Sequence, residues 1–318
     1  MIKSIQLVVL FLILSYSSNA QYEDYQVDSI VIHKRYKQKT VEGLSTEIAK
    51  DFEDRRCLLR AFYIYITYNM QYDKKAGDES RKRRDLYNSI NDMRRGDEKE
   101  LEIFLRTKKG VCWHFGTLFA RMCAVQGIDV EMITGTRRGL VLPDELTANH
   151  LWNSVEIDGE KKMIECTINH TLPYNKMDFD EMFLVDPEVF IYSSIPMDPA
   201  KQYIENPITY TTFKRLVWPH TMFNLLQVKE LNHRFKSIIP RRDGLAQINF
   251  KLDRYYKIDS LEVFLNNRLI KAIPVKKSAI SVNVPITHEG TLSIQAVREK
   301  NGYRQNWYLL DYEIPLNK

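Results

Sequence analysis

Apolar positions along the chain change period twice. From Ser45, Thr46 and Glu47, which form a helix start, the apolar residues Ile48, Phe52, Leu59, Phe62, Ile66 and Met70 recur at helical spacing, predicting one helix of about 25 residues. Residues 21–44 are polar and irregular, an unassigned lead-in. A charged excursion, residues 73–97, holds a short helix around Leu86, and Glu98–Thr107 reads as an amphipathic helix through Leu101, Ile103, Phe104 and Leu105. Phe115, Phe119 and Met122 carry the helical period once more, until Gly127 ends it as a C-terminal cap.

Beyond Gly127 the period falls to two. Val130–Thr136 alternates as a strand, Arg137–Ala148 reads as a loop with Gly139 and Pro143, and Asn149–Ile157 and Glu160–Ile168 are strands around Asp158-Gly159, a two-residue hairpin signal. With Ile157 opposite Glu160, His150 faces Thr167 and Trp152 faces Glu165. One face then carries His150, Trp152, Glu165 and Thr167. The other carries Leu151, Val155, Ile157, Ile164 and Cys166 and is the predicted core face.

From Ala246 short alternating runs follow: Ile248–Leu252, Leu261–Leu265, Ile270–Pro274, Ile280–Val284, Leu292–Val297 and Trp307–Ile314. Turn signals separate them at Asn266-Asn267, His288-Glu289-Gly290 and Asn301-Gly302. This is the pattern of an all-β sandwich of immunoglobulin-like size. Before it, residues 176–240 mix loop and short helix, with Trp218-Pro219, Met222, Phe223, Leu225 and Leu226 expected to pack the two parts together.

The first twenty residues stand apart. Lys3, the apolar run Ile5–Leu14 and the small residues ending at Ala20 have the form of a cleaved leader, so the mature chain is expected to be secreted or periplasmic. No later run approaches the ~20 apolar residues of a membrane-spanning helix. Leader removal takes one lysine and lowers the formal charge from +5 to +4. That near balance, with Arg81-Lys82-Arg83-Arg84 as the one dense basic run, argues against nucleic acid as a partner. The four cysteines, Cys57, Cys112, Cys123 and Cys166, are too few for a disulfide scaffold. No zinc-type spacing, calcium loop or phosphate-cradling glycine loop occurs, so no cofactor or metal is expected.

Cys112 is the candidate nucleophile. It opens the helix that runs to Gly127, where unpaired N–H groups and the positive end of the helix dipole favour a thiolate. A buried structural cysteine fits this segment equally well. His150 on a strand and Glu165 one strand over, on the diagonal, complete what a thiol needs: a base to activate it and an acid to fix the base's tautomer.

Gly110-Val111-Cys112, His150-Leu151-Trp152-Asn153 and Met163-Ile164-Glu165-Cys166-Thr167 resemble, in order and spacing, the three core motifs of the transglutaminase-like superfamily. Tyr63–Asp73 is similar to the helix preceding the cysteine motif there. The segment Phe183–Ile191 with Ile195–Pro199, followed by Gln202 and Asn206–Phe213, resembles kyphoscoliosis-peptidase-like members. The resemblance implies a papain-like arrangement with Cys112 as nucleophile, His150 as base and then acid, and Glu165 as orienting acid where the family pattern has aspartate. It also implies the Cys112 backbone N–H as an oxyanion donor; Tyr65, Tyr68 and Gln71 are the candidates for its partner. Trp113 and His114 after the nucleophile are bulkier than the pattern, and Trp113 and Trp152 are expected to line the cleft.

The expected architecture is α+β: a leader (1–20), the lead-in (21–44), a transglutaminase-like core (45–175), a connector (176–240) and a β-sandwich (241–318). The expected function is cysteine-dependent acyl transfer on a protein or peptide, by peptidase or glutamine-acyltransferase chemistry. The alternative is a catalytically silent relative that binds protein or glycan; nothing in the sequence names a ligand for the C-terminal part.

Overall fold

The computed structural model describes residues 24–76, 97–138, 142–167, 180–300 and 302–315. The leader, the Arg81–Arg84 run, Leu86, Gly139 and Ile168 lie outside them.

The lead-in contains a helix that the sequence reading left unassigned. Helix α1 (Asp24–His33) buries only Val27 and Val31, too narrow a stripe to stand out. It is held to its neighbour by charge: Asp24 takes Arg56 in a two-pronged contact, and Asp28 takes the buried Arg60, a planar match that favours arginine. The single long helix expected next is two, α2 (Val41–Ala49) and α3 (Arg55–Asn69). The apolar stripe stays in phase across the break, which hid it. Asp54 restarts the helix as a cap, its carboxylate accepting the Cys57 N–H at 2.8 Å.

After α3, β1 (Gln71–Tyr72) pairs in parallel with β2 (Lys109–Gly110), which follows α4 (Asp97–Thr107) and leads into α5 (Cys112–Val125). An antiparallel sheet then forms in the order β5-β4-β3-β6 from β3 (Val130–Arg137), β4 (His150–Ile157), β5 (Glu160–Ile164) and β6 (Ser194–Pro196); the short helix α6 (Pro187–Phe190) precedes β6. The hairpin has the predicted register, Ile157 opposite Glu160 through Asn153 opposite Ile164. Asp158 and Gly159 both take positive φ, at 52° and 79°, as a type I′ turn requires.

Two expectations for this sheet change. Strand β5 stops at Ile164 because the chain turns to a new partner: the Glu165 N–H donates to the Met182 carbonyl at 3.0 Å, and Met163 bridges Val185. Both faces of the sheet are also covered away from the hairpin tip. Val155, Ile164 and Cys166 pack with the helices, while Trp152 and Met163 on the opposite face join an apolar cluster with Met182, Val185 and Phe190. Helix α5 lies close against β4. A Cβ on Gly116 would sit 2.2 Å from Leu151 Cδ2, so glycine there sets how near Cys112's helix comes to His150's strand.

The connector supplies α7 (Tyr210–Arg215), β7 (Trp218–Pro219), α8 (Thr221–Leu225) and β8 (Val228–Lys229). All six alternating runs after Ala246 are strands: β9 (Leu245–Leu252), β10 (Ser260–Leu265), β11 (Arg268–Pro274), β12 (Ala279–Pro285), β13 (Gly290–Lys300) and β14 (Tyr303–Ile314). They form two sheets, β11-β10-β13-β14-β7 and β12-β9-β8. The connector therefore adds an edge strand to each. One apolar cluster runs from Trp152 through Phe213, Val217, Met222, Phe223, Leu225 and Leu226 to both sheets.

Candidate active site

Helix α5 begins without a polar side chain at its cap, Val111. His114 substitutes for one: its Nδ1 accepts the Val111 N–H at 3.1 Å, with the Phe104 and Trp113 rings 5.3 and 5.0 Å from its own. Burial pushes the His114 pKa down, which keeps the ring a neutral acceptor. The bulky residues after the cysteine thus build the helix start. Cys112 sits in that first turn, 5% exposed, in a small apolar cluster with Val111, Trp113 and Leu151.

His150, the first residue of β4 and 8% exposed, hydrogen-bonds the Cys112 side chain. Its Nε2 lies 3.3 Å from Glu165 Oε1 and 3.3 Å from Thr167 Oγ1. The Trp152 ring stacks with the imidazole at 6.5 Å and 29°. Expected on a cleft wall, Trp152 is only 1% exposed and packs between the imidazole and Phe190.

Burial disfavours an imidazolium here, but the Glu165 carboxylate and the hydrogen bonds to Cys112 and Glu165 outweigh it, and the His150 pKa is raised to about 9. Glu165 is 1% exposed. Burial pushes its pKa up, yet His150, Arg137 and the Thr167 N–H, which donates to Oε1 at 2.7 Å, bring it below the ordinary glutamate value. At neutral pH the two form an imidazolium–carboxylate pair. Glu165 lies one residue beyond β5.

The other cysteines are different. None of the four is in a disulfide, and Cys123 and Cys166 lie in the helical core, where burial raises both thiol pKa values. Burial likewise pushes the Cys57 thiol up to about 11.

Of the expected oxyanion partners, Tyr65 is buried edge-on against Tyr36 at 5.9 Å, Tyr68 is exposed, and Gln71 pairs with Lys109. The ring that packs half-buried on the Cys112 cluster is Tyr72. Sequence reading also missed Arg137. It fell in the expected loop, but it is the last residue of β3, and its Nη1 lies 3.7 Å from Glu165 Oε2. Only its charge, directly after the alternating run Val130–Thr136, signalled it.

Among the described residues no cluster of three His, Cys, Asp or Glu could hold a metal ion, and no helix is long and apolar enough to cross a membrane.

Residues 42–161 match the transglutaminase-like superfamily model, a stretch that includes Cys112 and His150 and stops short of Glu165. The Lim and transglutaminase domain protein ltd-1 of Caenorhabditis elegans is 23% identical over 43% of this chain and 22% of its own length. Kyphoscoliosis peptidase of Mus musculus is 25% identical over 58% of this chain and 26% of its own length. The chain thus spans about a quarter of the length of these curated relatives. A solved TGase structure superposes with a TM-score of 0.29 and 18% identity, covering 55% of this chain and 40% of that one, too loosely to add to the sequence match. The Cys112–His150 half of the site lies in a transglutaminase-like core, the superfamily to which residues 42–161 belong.

Proposed function

We propose that the protein is an exported cysteine-dependent acyl-transfer enzyme acting on peptide or glutamine amides, with Cys112 as nucleophile, His150 as base and then acid, and Glu165 as the orienting acid. The observation that carries this is the imidazole of His150, bonded to both the Cys112 thiol and a buried carboxylate. With Nε2 turned to Glu165, Nδ1 holds the proton taken from the thiol, so the imidazolium at rest is paired with a Cys112 thiolate. The thiolate attacks the amide carbonyl, His150 returns the proton to the leaving amine, and a thioester remains. Water or a second amine, deprotonated by His150, then displaces the thiol. The Cys112 N–H, in the first turn of α5, stabilises the oxyanion. Residues 241–318 form an immunoglobulin-like module, a reading supported by the two antiparallel sheets that share one apolar core.

The test is alkylation of the intact mature protein by iodoacetamide across pH, read by mass spectrometry. Cys112 is expected to react at mildly acidic pH, with His150→Ala moving the curve up towards the free-thiol value of about 8.5 and Glu165→Gln moving it less. Linkage gives an independent readout. Because the folded His150 pKa is raised to about 9, its stabilising contribution is complete below the unfolded value of about 6.5 and is lost as pH rises through the folded one. Tm should fall over that window, less so in Glu165→Gln. A Cys112 that alkylates only in alkali, with neither substitution moving the curve, would leave a silent binding protein as the reading.

A further inference from the structure

Glu165 uses its two oxygens unequally. Oε1 takes the His150 ring and the Thr167 N–H. Oε2 is buried without a hydrogen-bond partner and faces the equally buried, equally unbonded Nη1 of Arg137 across 3.7 Å. That separation is an ion pair rather than a hydrogen bond. In a buried setting the Coulomb term dominates, because little solvent screens it.

The backbone fixes where Arg137 can reach. Its N–H donates to Asn149 Oδ1 at 2.8 Å, Asn149 Nδ2 returns a bond to its carbonyl at 3.4 Å, and the residue pairs with Ser194 of β6. Arg138 cannot take its place. That guanidinium donates to the Phe213 and Leu216 carbonyls at the end of α7 and lies over the Phe213 and Trp218 rings.

We propose that Arg137 is a positioning residue of this site, holding Glu165 ionised and directed at His150 from the far side of the carboxylate. The inference rests on the Cys112–His150–Glu165 reading above. The groups that bear on the carboxylate are His150 from β4, Arg137 from β3, the adjacent Cys166 and Tyr63 from α3; Glu181 acts on Arg137 and Tyr63, and Cys112 from α5 acts on His150. Arg137 is the one fixed cation among them. Burial lowers the Arg137 pKa, with Glu165 and Glu181 opposing, but a guanidinium still carries its charge at any working pH. Without it, the carboxylate would depend on a histidine that must give up its proton each turnover.

The experiment is NMR titration of His150 in isotopically labelled full-length protein, wild type against Arg137→Met and Arg137→Lys, with Tm recorded for each. Wild-type His150 should titrate well above its ordinary value. Arg137→Met should lower that midpoint by about one pH unit, and Arg137→Lys, which keeps the charge without the planar fork, should restore most of it. Alkylation adds a second readout, because the thiolate displaces iodide from either a neutral or an anionic reagent. Arg137→Met should slow iodoacetamide and iodoacetate alike at mildly acidic pH. An unmoved His150 midpoint in a folded Arg137→Met overturns the inference while leaving the triad standing. So does a loss confined to iodoacetate, which would make Arg137 a contact for an anionic substrate. An ordinary His150 midpoint in the wild type would remove the triad reading itself.

Discussion

The sheet around His150 and the two C-terminal sheets are both antiparallel, yet they bury opposite kinds of residue. In β12 exposure alternates residue by residue, and in β9 buried positions alternate with less buried ones. Among the C-terminal strands only Glu262 and Ser293 are buried polar side chains. In β4 the first six residues are all buried, including His150, Asn153 and Ser154, and Thr136, Arg138, Glu165, Thr167 and Ser194 lie buried beside them. Several of these keep an atom with no hydrogen bond: Arg138 Nε, Trp152 Nε1, Asn153 Oδ1, Ser154 Oγ and Ser194 Oγ. Each such atom carries a desolvation cost of about 1–3 kcal/mol. The C-terminal sheets are therefore built for stability, and the core sheet gives up stability to hold a polar site. Strained polar burial of this kind marks function more reliably than any single residue type.

If the two regions divide the work in this way, core truncations in each should have separable effects. Ile248→Ala in β9 removes a fully buried side chain from the C-terminal core and should cost about 2–5 kcal/mol. Alkylation of Cys112 in the folded fraction should be unchanged. Trp152→Ala should cost a comparable or larger amount, about 3–5 kcal/mol, and should also slow alkylation, since it removes the ring stacked with His150. Urea melts and alkylation rates on the same samples decide the matter. A slowed Cys112 in Ile248→Ala would mean that the apolar cluster running from Trp152 into both C-terminal sheets couples them.

The same contrast governs how much could be read from the sequence. Alternation is visible where one face is wet, so all six late strands were found, with their Asn266-Asn267 turn. In the core sheet both faces are covered, and only the Asp158-Gly159 turn fixed the register; parity from that turn then put His150 and Glu165 together. What stayed hidden depends on tertiary contact. The two-residue strands β7 and β8 exist only because β14 and β9 pair with them. The end of β5 is set by Met182, seventeen residues from Glu165 along the chain. Helix α1 is specified by ion pairs with α3 more than by its own apolar stripe, and Arg137 looked like the first residue of a loop.

A smaller effect tests how α5 is seated. Gly116→Ala places a methyl 2.2 Å from Leu151 Cδ2, an overpacking that should cost about 1–3 kcal/mol. Because Leu151 neighbours His150, alkylation at mildly acidic pH should slow as well. Leu151→Ala in the same chain opens the space and should recover part of the rate. A double variant no faster than Gly116→Ala would place the strain elsewhere.

The smallest effect compares ion pairs across the two regions. Lys251 and Glu230 meet at 2.5 Å but both are about half exposed. Solvent and salt screen such a pair, and holding two long side chains costs entropy. Glu230→Gln should therefore change stability by less than about 1 kcal/mol, and 1 M salt should erase the difference. Arg137 and Glu165 stand farther apart, at 3.7 Å, with far less water around them. Breaking that pair by Arg137→Met leaves a buried carboxylate and should lower Tm by a margin that persists in 1 M salt. Distance alone ranks the two pairs one way and burial ranks them the other. A salt-sensitive loss in Arg137→Met would show that water reaches Glu165 and that the core sheet is less dry than its burial implies.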